Sequence, residues 1–600
     1  MQDQQYSVNQ YKISNILSSL ETGNIAIPEI QRPFVWKSKK VTDLIDSLYH
    51  SYPIGYIIIW QKPDVRLKDG SNSNAKDVII DGQQRITSLK AALLGEEVLN
   101  SDFKKVRIKV AFNPLEEKFE TLTPAIEKNS LWIPDISVLF NGEKSTLSLY
   151  SEYMENNKDK NIDAKTIEKN LSKLSEIKHN QIGAIMLGEE LKIETVTEIF
   201  HRINSKGVSL GQYDFVMSKI ASREEYNGVN IRKIIDYFHH LVKRPEDYSI
   251  INNDEEFKTT EWYSKIIWVK DKPMKLYTPT YEDIIRVAFT HKFGRGKLND
   301  LVSLLSGRNF EKRCWEEEIA ETTFKTFLEG ILNVVNKTYI ERFIMIIQSI
   351  GFIRSDMISS NMAIDFAYAL YLFLKTGVKM EDTQIERYVQ KWFVLSLLTG
   401  RYSGSSETRI DEDIRKIQET GIEKALIEFE QNTLSENFWK YALPSYLTKH
   451  TVTDSHFNIY LAALCKDKAR GFLSKNISVH DMISNRGDIH HLYPKEYLKN
   501  NKVEQTEYNQ VANYVYCETP INIKISDTAP KEYMKAVVNQ LNSEEARLSG
   551  ILTKEDLKKN LKECDIPDII FDGSVNNYQN FLKERRVLMA KRIKKYWESL

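Results

Sequence analysis

The spacing of apolar residues changes twice along this chain, and each change marks a different kind of structure. Between residues 56 and 112, apolar residues form short runs such as GYIIIW and DVIID, or alternate with charged residues from Val106 to Phe112, as in strands. From residue 227 to about 445 they recur every three or four residues in long runs such as DFAYALYLFLK, which indicates amphipathic helices. After Tyr446, short strand-like pieces return ahead of a long basic helix.

These changes predict three domains. An α/β domain covers residues 1–226, a helical connector covers 227–445, and a C-terminal domain with the basic helix covers 446–600. The length agrees, because single domains usually span about 100 to 200 residues and this chain has 600.

The overall charge does not identify a partner. Lysine plus arginine equals aspartate plus glutamate at 83 each, so any DNA-binding face must be a local concentration of charge. The four cysteines are far apart in the sequence, which argues against a disulfide framework and a zinc knuckle. The polar N-terminal segment and the absence of a long apolar run predict a cytoplasmic protein that does not enter the membrane.

Histidine and asparagine residues near the C-terminus predict a metal-dependent hydrolytic site. The segment DIHHLYP, residues 488–494, is followed by Asn513 and Asn522. Neighbouring strand residues point to opposite faces, so His490 and His491 can divide the roles of metal ligand and general base. A divalent ion on the scissile phosphate would complete such a site. Taken alone, the histidine pair also fits an ordinary loop.

This segment resembles the HNH nuclease superfamily. The resemblance implies that the C-terminal domain of this chain has a ββα-metal fold. The resemblance implies that His491 is the general base and His490 the first metal ligand, that Asn522 is the second ligand, and that Asn513 assists catalysis by steadying the loop. Asp488 is expected to orient a metal ligand. The implied metal is Mg²⁺, with Mn²⁺ as an alternative. The family often has Asp where this chain has His490, which bears on metal preference.

The C-terminal segment KERRVLMAKRIKKYWESL predicts a helix that neutralises DNA phosphates. The residues expected to contact nucleic acid are Arg585, Arg586, Lys591, Arg592, Lys594 and Lys595. The alternative is a solvated helix face that packs through Leu588, Ile593 and Trp597.

The segment DGQQR, residues 81–85, lies between a predicted strand and a predicted helix. A glycine turn that leads into a helix can hold phosphate through backbone N–H groups, and Arg85 adds a cation one turn later. A strand, turn and helix with glycine is common, so this segment alone is a weak indication of a phosphate site.

Two further motifs strengthen the interpretation. IPEIQRPFVW, residues 27–36, precedes DGQQR, and FHRINSKGVSLGQYDF follows near residues 200–215. In this order the three motifs resemble the N-terminal domain of GmrSD-type modification-dependent restriction enzymes, which has a ParB/sulfiredoxin-like fold. The resemblance implies binding and hydrolysis of a nucleoside triphosphate by Asp81, Gly82, Gln83, Gln84, Arg85, Thr87, Gln31 and Arg32. Alternatively, Arg32 packs on Trp36 and Asn204 caps its own turn.

Together these features predict a cytoplasmic type IV restriction endonuclease with mixed α/β and α architecture. Its expected substrate is modified phage DNA, and a nucleoside triphosphate of unspecified base is expected to regulate it. One alternative is a nucleotide-dependent DNA-binding regulator with an inactive HNH fold. Another is an RNA-directed nuclease or toxin. The sequence leaves the oligomeric state open and is compatible with a dimer.

Overall fold

A computed structural model describes most of the chain. The described residues are 6–26, 36, 38–61, 77–99, 105–189, 191, 195–196, 199, 212–221, 223–485, 487, 489–541, 543 and 545–600. The chain divides into two compact units, Met1–Arg232 and Lys233–Leu600.

The first unit is built on a five-stranded mixed sheet. Its strands are β1 (Tyr6–Lys12), β2 (Ile25–Ala26), β3 (Tyr56–Trp60), β4 (Asp77–Asp81) and β9 (Gln181–Leu187), in the spatial order β1-β9-β3-β4-β2. β9 runs antiparallel to β1 and parallel to β3, β3 runs antiparallel to β4, and β4 is parallel to β2.

Both faces of this sheet are covered, which explains why β3 reads as an unbroken apolar run. Ile57 and Ile59 belong to the larger apolar core, whereas Ile58 and Trp60 belong to a smaller cluster. Because neighbouring strand residues point to opposite faces, the two clusters lie on opposite sides of the sheet.

Helices and two hairpins complete the first unit. The helices are α1 (Ile13–Glu21), α2 (Ser38–Tyr49), α3 (Gln83–Leu89), α4 (Pro124–Glu127), α5 (Ser137–Phe140), α6 (Thr146–Asn156), α7 (Ala164–Ser175) and α8 (Gln212–Ala221). The hairpins pair β5 (Glu97–Leu99) with β6 (Lys105–Arg107), and β7 (Val110–Asn113) with β8 (Lys118–Thr121).

The alternating segment from Val106 to Phe112 forms two strands rather than the single half-buried strand that its pattern predicts. β6 pairs with β5, and β7 pairs with β8, so the chain changes partners between them. All four residues of β7 are buried, and Phe112 also forms a bridge to Ile133 on its other side. The long-range bridge therefore overrides the local alternation.

The second unit is mainly helical, as the sequence predicts for residues 227–445. Its helices are α9 (Gly228–Lys243, which starts before the unit boundary), α10 (Tyr248–Asn252), α11 (Glu255–Lys258), α12 (Glu261–Ile266), α13 (Tyr281–Phe293), α14 (Leu298–Leu305), α15 (Glu317–Val334), α16 (Lys337–Ser349), α17 (Asn361–Gly377), α18 (Asp382–Thr399), α19 (Ser406–Thr420), α20 (Ile422–Thr433), α21 (Leu443–Tyr446), α22 (Ser455–Lys466), α23 (Val479–Ser484), α24 (Lys495–Asn500), α25 (Gln505–Tyr508), α26 (Thr519–Ile525), α27 (Pro530–Asn539), α28 (Lys554–Glu563) and α29 (Tyr578–Glu598).

Helix α17 lies at the centre of the helical region. Its residues from Ala363 to Leu372 are all buried, so the segment DFAYALYLFLK is apolar on nearly every side. Helix α18 packs beside it and ends at Gly400, whose φ of 59° is the left-handed conformation usual after a helix. In the described parts of the chain, no helix has the length and apolar character needed to cross a lipid bilayer.

A short antiparallel strand pair lies among the C-terminal helices. β10 (Ile489–His491) pairs with β11 (Tyr514–Tyr516), and α26 follows β11 directly. The histidine pair lies on β10 and Asn522 on α26, with α24, α25 and β11 between them in the chain. The predicted boundary near residue 445 lies within the second compact unit, and a separate domain over 446–600 remains a prediction.

Candidate functional site

The two histidines of the C-terminal motif lie on β10. In the antiparallel register, His490 pairs with Val515 and His491 pairs with Tyr514 of β11. Both histidines are half-buried. Because they are neighbours on one strand, their imidazoles point to opposite faces, as expected from the sequence.

Asn513 fixes the loop that follows β10. It has no exposed surface, and its Oδ1 accepts a hydrogen bond from the backbone N–H of Tyr493 at 2.8 Å. Its Nδ2 donates to the carbonyls of Tyr493 and Tyr508, both at 3.1 Å. The backbone of Leu492 also donates to the Asn513 carbonyl. These bonds hold the turn after His491 against the start of β11.

The sequence interpretation missed Asn509, which contacts His491. Nε2 of His491 lies 3.1 Å from Oδ1 of Asn509, and the ring packs edge-on against Tyr514. Burial lowers the pKa of His491 below its usual range, and the hydrogen bond with Asn509 opposes that shift. Asn509 lies in the connection between the strands, where no local pattern distinguishes it from other polar residues.

Of the two remaining predicted metal-binding residues, one lies within the described part of the chain. Asn522 lies on α26 with a half-buried side chain, whereas Asp488 is outside the described residues. Within the described residues, no three His, Cys, Asp or Glu side chains are grouped to hold a metal ion. A metal at β10 and α26 would therefore take an imidazole, an amide oxygen and ligands from water or phosphate. The oxygen donors suit Mg²⁺ and Mn²⁺, whereas the imidazole is a donor better suited to transition metals such as Zn²⁺.

The prediction that Arg585 contacts DNA is wrong. Only 1% of Arg585 is exposed, and its guanidinium donates to the carbonyls of Ala512 and Tyr514, each at 2.8 Å. A third hydrogen bond reaches the carbonyl of Cys564. Arg585 therefore supports the strand opposite the histidines and cannot reach a phosphate in solvent.

Three other cations of the same helix also have protein partners. Arg592 forms ion pairs with Asp565 and Asp467 and donates hydrogen bonds to two carbonyls at the end of α28. Because its guanidinium is engaged in this way, it does not form part of a free basic surface. Arg586 is half-buried and donates to Gln510, and Lys594 pairs with Glu436 at 2.8 Å. Lys591 and Lys595 are exposed. The basic helix is thus in large part a packing element, which was the alternative interpretation.

The DGQQR segment spans the junction of β4 and α3, as predicted, with Gly82 between the two elements. Gly82 is the residue before α3 and has a φ of 92°, a conformation that favours glycine. A Cβ at this position would also lie 2.4 Å from Cγ2 of Ile57 on β3. Two independent constraints, backbone conformation and space, therefore require glycine here.

Arg85 is directed toward the protein. Its guanidinium donates to the carbonyls of Ile54 and Tyr56, at 3.3 and 2.6 Å, and lies 3.4 Å from Oδ2 of Asp81. Burial lowers the pKa of Arg85, and the Asp81 carboxylate opposes this shift. The sequence predicts Asp81 and Arg85 in one site, and in the structure the two side chains lie together. The structure also shows that Arg85 donates to backbone carbonyls near the start of β3, which the sequence did not indicate.

Of the other predicted nucleotide-binding residues, some lie within the described part of the chain and some do not. Gln83 turns back and donates to the carbonyl of Ile79 at 2.9 Å, while Gln84 and Thr87 are half-buried on α3. Gln31 and Arg32 lie outside the described residues, as does most of the FHRINSKGVSLGQYDF motif.

Two comparisons with known proteins cover different parts of the chain. Residues 13–221 match the family model of the GmrSD restriction endonuclease, N-terminal domain. An uncharacterized protein of Methanocaldococcus jannaschii is 22% identical in an alignment that covers 95% of this chain and 96% of that protein. The first match lies within the first compact unit. The second extends the similarity across both compact units.

Proposed function

We propose that this chain is a metal-dependent DNA endonuclease of the modification-dependent restriction type, with its hydrolytic site at β10, β11 and α26. The observation that carries the proposal is the adjacent pair His490 and His491 on β10, with the following turn locked by Asn513. The match of residues 13–221 to a restriction endonuclease domain supports the same class of activity.

His491 is the proposed general base. When Nε2 carries the ring proton and donates it to Asn509, Nδ1 keeps the lone pair that accepts a proton from an attacking water. Burial favours the neutral imidazole, which is the form that a base requires. Asn513 contributes indirectly, because its three side-chain hydrogen bonds fix the backbone that follows the base.

His490 and Asn522 are the proposed metal-binding residues, with Asp488 as the residue that orients a ligand. The strand directs His490 away from His491, and α26 presents Asn522 immediately after β11. A bound divalent ion would neutralise charge on the scissile phosphate. The oxygen donors, from Asn522, water and phosphate, suit Mg²⁺ and Mn²⁺, and the imidazole of His490 in place of a carboxylate bears on which of the two is preferred.

The first unit is proposed to bind and hydrolyse a nucleoside triphosphate that regulates cleavage, and modified phage DNA is the proposed substrate. Support comes from the turn at Gly82, which leads into α3, and from Asp81 and Arg85 beside it. Arg85 already bonds to two carbonyls, so a phosphate would have to share its guanidinium with them.

The test is cleavage of supercoiled plasmid and of matched phage genomes, unmodified and modified, by the purified protein. Mg²⁺ or Mn²⁺ should support nicking, EDTA should stop it, and His491→Ala should lower the rate by about 10² to 10⁴ without changing the melting temperature. Parallel digestion of RNA separates a DNA nuclease from an RNA-directed one. Equal nicking by the wild type and His491→Ala would falsify the assigned site.

A further inference from the structure

A groove of about 1600 Å³ lies between three helices of the second unit, and the function proposed above does not use it. Residues of α28, of α29 and of the end of α27 line it. The apolar residues that line it are Val538, Leu541, Leu557, Leu561, Ile566, Pro567, Phe571, Val587 and Leu588.

Lysines of α28 and α29 border this groove. On α28, Lys554, Lys558 and Lys562 follow one another at intervals of four residues, which places them along one face of the helix. On α29, Lys583, Lys591 and Lys595 also line the groove. All six side chains are exposed, and the described part of the chain gives none of them a carboxylate within ion-pair distance.

The acidic residues of the groove do not cancel this charge. Asp565, Asp568 and Glu584 line it together with Arg592 and the six lysines. Asp565 is already paired with Arg592. The groove therefore has a positive border in a chain whose total charge is balanced.

The floor of the groove exposes apolar surface to water. Phe571, Val538 and Val587 are 38%, 44% and 40% exposed, respectively, in a region where their neighbours are also apolar. Contiguous exposed apolar surface bordered by polar residues is typical of interaction sites, because a partner that covers it gains the free energy of burying it.

We propose that this groove binds an acidic amphipathic helix of a partner protein. The apolar face of such a helix would cover the floor, and carboxylates on its two flanks would meet the lysines of α28 and α29. A nucleic acid duplex matches the lysines but not the floor, because phosphates gain nothing from apolar side chains. A single exposed aromatic residue, Phe571, is also too little to stack successive bases of a single strand.

The test measures binding of the full chain to a fluorescent peptide of about 18 residues, or five helical turns, with leucines on one face and glutamates on both flanks. A peptide of identical composition in scrambled order controls for charge alone. We expect the amphipathic peptide to bind at least about tenfold more tightly than the scrambled one, and added salt to weaken its binding.

Matched variants locate the binding site. Lys558→Glu/Lys591→Glu reverses one lysine on each helix, whereas Lys535→Glu/Lys559→Glu makes the same charge change on α27 and α28 outside the groove. The first variant should lose about tenfold in affinity and the second less than about twofold. Phe571→Ala removes apolar floor without changing charge and should also weaken binding. Circular dichroism melting curves must be unchanged for each variant.

Two results would overturn the proposal. One is equal binding of the amphipathic and scrambled peptides, which would leave only a general attraction of charges. The other is loss of duplex DNA binding by Lys558→Glu/Lys591→Glu with peptide binding unaffected, which would assign the groove to nucleic acid. Neither result depends on the nuclease activity, so a failure of the groove proposal is distinct from a failure of the proposed hydrolytic site.

Discussion

At the scale of single residues, Gly82 and Asn513 are the positions where substitution should be least tolerated for reasons of geometry. Gly82 combines a left-handed backbone with contact against Ile57 on the adjacent strand. Asn513 has no exposed surface and satisfies three backbone groups with one side chain. Both therefore support neighbouring site residues through the backbone.

Gly82→Ala should destabilise the first unit by more than the roughly 1 kcal/mol expected for strain at a positive φ alone. The added methyl group would also collide with Ile57. Gly142→Ala is the matched control, because Gly142 has a φ of 85° and no atom within 4 Å of a new Cβ. Urea unfolding of the two variants should give the larger loss for Gly82. Equal losses of unfolding free energy in the two variants would show that the Ile57 side chain moves aside without destabilising the unit.

Asn513→Ala and Asn522→Ala should differ in kind. The first leaves two buried carbonyls and one N–H without their partner, at about 1 to 3 kcal/mol for each buried group, so the melting temperature should fall together with activity. The second removes a proposed ligand from a half-buried position, so stability should hold and excess Mg²⁺ or Mn²⁺ should restore part of the activity. Unfolding of Asn522→Ala without metal rescue would make Asn522 structural.

At the scale of helices and strands, local sequence patterns predict well where each element lies. They predict poorly which distant groups its side chains bond to. The strands at YIIIW and DVIID and the helix at DFAYALYLFLK are confirmed, because their periodicity is set by local burial. The partners of Arg85 and Arg585 were not predictable, since their carbonyl acceptors are about 30 and 70 residues away in sequence. The basic helix therefore looked like a DNA-binding surface although much of its charge is used internally.

Arg585→Met should destabilise the second unit by about 2 to 3 kcal/mol, because it removes charged hydrogen bonds to two buried carbonyls. Lys591→Met on the same helix is exposed and should change stability by less than about 0.5 kcal/mol. Chemical denaturation of both variants measures the difference. If Arg585→Met is as stable as the wild type, the guanidinium does not support β11.

Helix α13 should make stability depend on pH. His291 is 4% exposed, and burial lowers its pKa to about 3. The unfolded chain binds a proton near pH 6.5 and the folded chain does not, so stability is full above that pH and is lost as the pH falls. At pH 5, protonation of His291 in the unfolded chain should lower the free energy of unfolding by about 2 kcal/mol.

The measurement is the melting temperature between pH 7 and pH 5. His291→Met should reduce its decline, whereas His480→Met, at an exposed position on α23, should leave the decline unchanged. An identical decline in the wild type and His291→Met would show that other groups cause it.

At the scale of the whole molecule, the two compact units provide a direct test of regulation. The unit boundary falls inside α9, which begins at Gly228, so a fragment that starts at residue 228 keeps this helix intact. Residues 228–600 should retain metal-dependent nicking and lose any response to nucleoside triphosphates. The measurement is nicking rate with and without each nucleotide. A nucleotide response that persists in the fragment would separate regulation from the first unit.

The hydrogen bonds of Arg585 also bear on how the protein is made. A ribosome releases β10 and β11 well before α29, so the carbonyls of Ala512 and Tyr514 lack their charged donor until that last helix has emerged. If the strand pair is hydrolytic, an unfinished chain, or one truncated by a premature stop codon, would lack a properly supported site. Synthesis itself would then delay the proposed hydrolytic activity until α29 is in place.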